Sequence, residues 1–139
     1  MSITYDKTHP IPIPPILWDN KGFWDGVMKH ELVFQRCKQC SNWVHPPRPF
    51  CPKCRSLEKE WARSSGKGTI YSWVTYRESP HPAFKAPCSV VLVELKEGVR
   101  LVSNMVDINH EEIYIGMPVE VVFDDISEGL TLPKFRKAV

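Results

Sequence analysis

No stretch of this 139-residue sequence approaches the ~20 consecutive apolar residues that a membrane helix needs. Met1-Ser-Ile-Thr-Tyr-Asp has none of the character of a signal peptide. Internal repeats and low-complexity tracts are missing too. So are the short motifs of several catalytic classes: no nucleophile elbow, no Gly-x-x-x-x-Gly-Lys phosphate loop and no His-Glu-x-x-His helix. These absences set aside membrane helices, repeat folds and those chemistries, and the expected location is the cytoplasm.

What the sequence does have is two Cys-x-x-Cys pairs, Cys37-Lys-Gln-Cys40 and Cys51-Pro-Lys-Cys54, with ten residues between them. Each pair is a knuckle that lets two thiolates grip one metal ion, and two knuckles complete a tetrahedron with Zn–S distances near ~2.3 Å. The segment between them is long enough to turn back as a short hairpin and too short to hold a separate core. A zinc ribbon is the first reading, with iron in a rubredoxin-like site and a redox dithiol pair as alternatives. Iron would colour the protein red. Secretory disulfides are disfavoured because nothing marks secretion. His45 lies in this segment, but four thiolates already close the site, so it is expected to be a loop residue.

Hydrophobic residues make up 42% and charged residues 24% of the chain, which suits one small globular domain or two subdomains sharing a surface. Thirteen prolines and five tryptophans point to extended arms, tight corners and large buried or partner-facing surfaces. Charge is segregated: nine Lys/Arg stand against three Asp/Glu between Lys29 and Lys67, and two against nine between Cys88 and Glu128. Four thiolates around a zinc ion absorb part of the basic excess. The rest suits nucleic acid, a phosphorylated cofactor or an acidic protein surface, or is simply solvated. Prolines on both sides of Arg48 would fix that guanidinium, which suits a phosphate or a carboxylate.

In order along the chain, residues 1–18 form a proline-rich arm that cannot be helical. It carries Ile11, Ile13, Ile16, Leu17 and Trp18, which either clamp a partner or fold over the chain's own core. A helix capped by Asp19 or Asn20 is expected next, with Phe23, Trp24, Val27, Met28 and Leu32 at helical spacing. Gly22 and Gly26 weaken it by about 1 kcal/mol each, so packing must hold it. The ribbon follows. Past Ser65-Gly66-Lys67-Gly68 the pattern turns to strands over 69–77, 89–95, 99–106, 117–123 and 132–136, with a brief helical insert before the fourth. That order fits a small OB-type Greek-key barrel. The fold class is therefore mainly β: an arm and helix (1–34), a rubredoxin-like zinc ribbon (35–66) and a five-stranded OB-fold barrel (67–139).

Several residues together carry a family likeness: Phe23-Trp24, Gln35-Arg36-Cys37, Pro47-Arg48, Cys51-Pro-x-Cys54, Trp61, Ser65-Gly66-x-Gly68, Val93-Glu94-Leu95, Gly98, Ile115-Gly116-x-Pro118-Val119 and Pro133-x-Phe135. Over nearly its whole length the chain resembles the zinc-ribbon plus OB-fold family first catalogued as a domain of unknown function and described as acyl-CoA-associated. One departure is Cys88, where the family more typically has an aromatic residue. The resemblance implies a small accessory subunit of thiolase-type and related acyl-CoA enzymes, one that scaffolds a catalytic partner and helps form the path of the CoA arm.

Catalysis by the chain alone is not expected. The histidines (9, 30, 45, 81 and 110) are scattered, and Cys88 heads an apolar strand as an inert buried thiol. The metal ligands expected are Cys37, Cys40, Cys51 and Cys54, holding structural zinc. Arg36, Arg48 and Lys67 are the candidates for CoA phosphates or partner carboxylates, and Trp18, Phe23, Trp24 and Trp43 for the surface that meets a thiolase-like subunit. The alternative is a single-stranded nucleic-acid module reading bases on Tyr71 and Trp73 beside Arg77. The acidic barrel has the wrong sign for that.

Overall fold

The computed structural model describes residues 11–138; the arm residues 1–10, His9 among them, and Val139 lie outside it. Among the described residues no helix is long and apolar enough to cross a membrane. Residues 11–18 form neither helix nor strand, as their proline spacing dictates. Ile13, Ile16, Leu17 and Trp18 are all exposed, so these side chains do not fold over the chain's own core.

The helix α1 spans Lys21–Met28, shorter than the apolar spacing implied, and Leu32 lies beyond it. His30 sits in the left-handed region at φ 59°. The Gly26 carbonyl accepts the N–H groups of both Lys29 (2.9 Å) and Glu31 (2.8 Å), which closes the last turn. The two helical glycines serve close packing. A Cβ on Gly22 would stand 2.2 Å from the Trp61 indole, and one on Gly26 would stand 2.6 Å from Val33. Their low helix propensity is offset by contacts that alanine would not allow.

Three strands follow: β1 (Val33–Cys37), β2 (Trp43–Val44) and β3 (Lys59–Arg63), in the order β2-β1-β3 and all antiparallel. The segment between the knuckles supplies only the two residues of β2 as strand, and these pair back onto β1. The chain enters and leaves this sheet at one place, because the Ser64 N–H donates to the Leu32 carbonyl at 2.7 Å.

The second sheet has five strands: β4 (Lys67–Tyr76), β5 (Cys88–Leu95), β6 (Arg100–Asn104), β7 (Pro118–Ser127) and β8 (Leu130–Lys137), in the order β6-β5-β4-β7-β8. A three-residue helical turn, His110–Glu112, precedes β7. The sheet curls so that β8 returns to β6: Met105 bridges Phe135 in parallel, the Val106 N–H donates to the Phe135 carbonyl (2.9 Å), and the Ser103 hydroxyl donates to the Pro133 carbonyl (2.6 Å). This is an OB-type barrel. Its turn after β5 uses Gly98 at φ 94°, a conformation that costs glycine little. A bulge between Ile70 and Ser72 shifts the phase of β4, so Ile70 and Trp73 both pack on the core.

One buried cluster joins the two parts. Phe23, Val27 and Leu32 from the helical segment and Phe34 from β1 pack with Ile70, Val93, Met117, Val119 and Phe135 of the barrel. Glu97, in the β5–β6 turn, reinforces the seam. Its carboxylate accepts the Ser64 hydroxyl, the Ser65 N–H (3.3 Å) and the Ser65 hydroxyl (3.1 Å). The glycine-bearing connector is therefore tied to the barrel by a carboxylate of the same chain.

Gly68 lies against backbone: an added Cβ would stand 2.3 Å from the Glu94 carbonyl oxygen. Backbone cannot swing aside as a side chain can. Gly68→Ala is accordingly expected to destabilise the protein by about 3 kcal/mol, at the upper end for overpacking. Urea unfolding measures this, and a loss below about 0.5 kcal/mol would show that β5 gives way.

A candidate metal centre and its surroundings

The two knuckles are built alike. In the first, the Ser41 N–H donates to the Cys37 carbonyl (3.0 Å) and the Cys37 N–H to the Asn42 carbonyl (2.9 Å). In the second, Arg55 donates to Cys51 (2.8 Å) and Cys51 to Ser56 (2.9 Å). Ser41 and Arg55, each four residues past the leading cysteine, both adopt positive φ, 62° and 65°. The sulfurs of Cys37, Cys40, Cys51 and Cys54 lie within 4.8 Å of one another, with 3.5 Å between Cys37 and Cys54 and 3.6 Å between Cys40 and Cys51. A tetrahedron with Zn–S near ~2.3 Å has edges of about 3.8 Å, so the residues fit the ion. The four cysteines form a zinc-ribbon site.

The electrostatics make the same point. The Cys54 N–H, and after it that of Lys53, pulls the Cys51 thiol down to about 6 against the effect of burial. The Cys40 N–H likewise lowers Cys37. At Cys54 the Ser56 N–H also pulls down, yet burial and the neighbouring sulfurs outweigh it and push the thiol up to about 12. Four thiolates this close repel one another, and a divalent ion removes the conflict. His45 is not a ligand: its ring packs on Phe23 and Phe34 with centroids 5.5 and 5.0 Å away, and burial holds its pKa below the usual histidine value. A residue that reads as loop is in fact packed on the core.

The three candidate anion contacts do not converge on one visible site. Arg36 donates to Glu60 through Nε (3.0 Å) and an Nη (2.7 Å) and lies over the Trp43 ring at 5.2 Å. Its guanidinium is already engaged. Arg48 is exposed; its backbone N–H is held by the Gln35 side chain (3.0 Å) and its guanidinium has no carboxylate partner among the described residues. It borders a polar recess that also includes Arg100 and Trp43. Lys67 opens β4 and lines a separate groove with Glu94, Lys96 and Glu120.

Of the four candidate interface aromatics, Phe23 is corrected by the structure. It is only 5% exposed and its ring packs on Trp24, Phe34 and His45. Trp24 and Trp43 are half-buried, whereas Trp18 is 81% exposed. Trp24 forms one wall of an apolar cleft of about 360 Å³ between α1, the 45–47 loop and the barrel. The stacking platform of the nucleic-acid reading is not assembled: Trp73 packs inward, and the exposed Tyr71 ring is covered by the Arg100 guanidinium at 3.8 Å.

Other polar groups serve the barrel. Buried Ser89 bonds Thr75 (2.8 Å) and His110 (2.6 Å). Cys88 is buried and accepts from Asn104 Nδ2 at 3.5 Å. Buried Lys134 pairs with Asp124. Lys134 and Glu97 look like ordinary surface charges in the sequence and carry no signal of these roles, and Asn20, expected as a helix cap, turns its side chain toward the arm instead.

Residues 24–60 match the family model described as the ChsH2 rubredoxin-like zinc ribbon domain, and residues 61–124 match the ChsH2 C-terminal OB-fold domain. A probable enoyl-CoA hydratase alpha subunit of Thermomonospora curvata is 44% identical over 128 residues, covering 92% of this chain but only 40% of that protein. The chain thus spans well under half the length of that relative. A DUF35 domain-containing scaffold protein of Methanocaldococcus jannaschii is 41% identical over 99 residues, 70% of each chain. A solved chain of an Ltp2-ChsH2(DUF35) aldolase superposes with a TM-score of 0.87 at 43% identity, covering 91% of this chain and 100% of that one.

Stripping zinc from the protein with a chelator is expected to unfold the ribbon and to return protons to the freed thiolates, Cys54 first, because burial and the neighbouring sulfurs push its thiol up. Metal analysis with near-ultraviolet circular dichroism reads the loss, and an unchanged spectrum in zinc-free protein would contradict it.

Proposed function

The chain belongs to the ChsH2 family of DUF35 zinc-ribbon and OB-fold proteins, and from that premise we propose that it is a non-catalytic scaffold subunit of an acyl-CoA-processing enzyme. Its partner makes or breaks a C–C bond on an acyl thioester, in the manner of a thiolase or an aldolase. One observation carries this reading: the chain matches the whole of one chain of a solved Ltp2-ChsH2(DUF35) aldolase. The hydratase alpha subunit among its relatives is much longer than this chain, so a hydratase partner is the competing member of the same class.

The chain's own chemistry agrees. Among the described residues the only group of metal-ligating side chains is the four-cysteine set, which is a closed structural site and leaves no position for substrate. Its contribution is shape, with zinc holding a ribbon that has too little apolar area to fold by itself. Of the candidate anion contacts, Arg48 and Lys67 remain available for the phosphates of CoA or for carboxylates of the partner. Trp18, Trp24 and Trp43 are the aromatics offered to that partner.

Purified alone, the chain is expected to turn over no acyl thioester. Co-expressed with a thiolase- or aldolase-type subunit, it is expected to co-elute and to raise C–C bond cleavage at least tenfold over that subunit alone. Size-exclusion chromatography and a product assay read both results. A partner with full activity in the absence of this chain would refute the scaffold role, and a complex that only hydrates enoyl thioesters would move the reading to the hydratase class.

A further inference from the structure

We propose that residues 13–18 are a preformed docking prong, held in place by Asn20, for an apolar recess rimmed by carboxylates on the catalytic subunit. The inference rests on the scaffold reading above and deepens it by naming the contact.

Asn20 occupies the N-cap position of α1 yet makes no side-chain bond to the helix, where such a cap ordinarily contributes about 1 kcal/mol. Both of its polar atoms turn the other way. Oδ1 accepts the Leu17 N–H at 2.7 Å, and Nδ2 donates to the Pro15 carbonyl at 3.0 Å. The Asn20 N–H closes the turn on the Leu17 carbonyl at 3.3 Å. Pro12, Pro14 and Pro15 restrict the backbone on the N-terminal side. The backbone is therefore ordered, while Ile16, Leu17 and Trp18 stand 54%, 55% and 81% exposed. A fixed strip of large apolar side chains has already incurred the ordering cost of binding, which is what preorganisation supplies to an interface.

Charge identifies the other side. Trp18 borders a recess of about 170 Å³ together with Arg48, Pro49, Lys59 and Trp61. Lys59 reaches the carbonyls of Arg48 and Pro49 (2.9 and 3.0 Å) and meets no carboxylate among the described residues. Of the nine basic residues from Lys29 to Lys67, only Arg36 and Arg63 meet carboxylates among the described residues, Glu60 and Glu31. Aromatic and aliphatic side chains beside uncompensated cations complement a protein surface with an apolar centre and an acidic rim. Nucleic acid would use the cations and leave Ile16 and Leu17 idle.

The test uses the full chain and the thiolase- or aldolase-type subunit co-expressed with it, with binding followed by surface plasmon resonance. Trp18→Ala is expected to weaken binding about thirtyfold, as for an interface anchor. Asn20→Ala is expected to cost about tenfold, seen mainly as slower association because the loosened arm must be reordered on docking. Its zinc content and near-ultraviolet circular dichroism should stay unchanged. Should Asn20→Ala fail to fold, Asn20→Asp, which keeps the Leu17 contact and loses the Pro15 one, is expected to fall in between. Lys59→Glu should weaken binding severalfold and flatten its salt dependence. If the complex forms and both Trp18→Ala and Asn20→Ala bind within twofold of wild type, the prong is wrong while the scaffold role stands. If Lys59→Glu alone matters and oligo-dT competes, the cations serve nucleic acid and the proposal falls. If wild type forms no complex at all, the scaffold reading fails and the prong with it.

Discussion

Four sulfurs within 4.8 Å of one another impose a condition that the rest of the molecule must accept. Deprotonated, they repel; protonated, they cannot bind metal; only a cation between them resolves the choice. The first knuckle ends β1 and the second precedes β3, so the ion fixes the geometry of a sheet that has only 5, 2 and 5 residues in its strands. Phe34 of β1 is wholly buried in the cluster shared with the barrel. The metal centre thereby supports the packing of the whole chain, although its sulfurs take no part in that core.

Orientation is the product of this arrangement. The helix end, the ribbon exit and the β5–β6 turn are joined by the common core and by the Glu97 contacts with Ser64 and Ser65. His30 adds a further tie from the end of α1 to β7: it bonds Asp125 at 2.9 Å and stacks on Phe123 at 5.2 Å, 6° from parallel. A body braced at so many points presents its outer surfaces at set angles, which is the property a scaffold subunit contributes in place of a reacting group.

Much of this was legible in the residues. Cysteine spacing specifies a metal centre because four ligands at those intervals do little else. The alternating strands reveal the barrel because one of their faces is buried, as β5 shows. What escaped depended on distant partners. Helical spacing ran on to Leu32 because Leu32 is buried, but the positive φ of His30 had already ended α1. Phe23 reads equally well as interface or core, and only the position of His45 and Phe34 decides. The bulge in β4 shifts side chains by one position, so the supposed row of Tyr71, Trp73 and Arg77 never forms. Asn20 was foreseen as a cap because residue type predicts the location of a polar side chain better than its direction.

The backbone crosses into and out of the ribbon between Leu32 and Ser64, two residues already joined by a hydrogen bond of 2.7 Å. Topologically the ribbon is an insertion with touching ends, and excising it would ask almost nothing of the remaining chain in reach. Packing says the opposite, since the excised piece takes Phe34 out of the interior and removes Trp61 from over Gly22. A gene losing that segment in a single event would encode a barrel that closes easily and holds a void where an aromatic ring had been. Cassette-like connectivity and indispensable packing thus coexist in one element, and a descendant could discard the metal only after first filling that void.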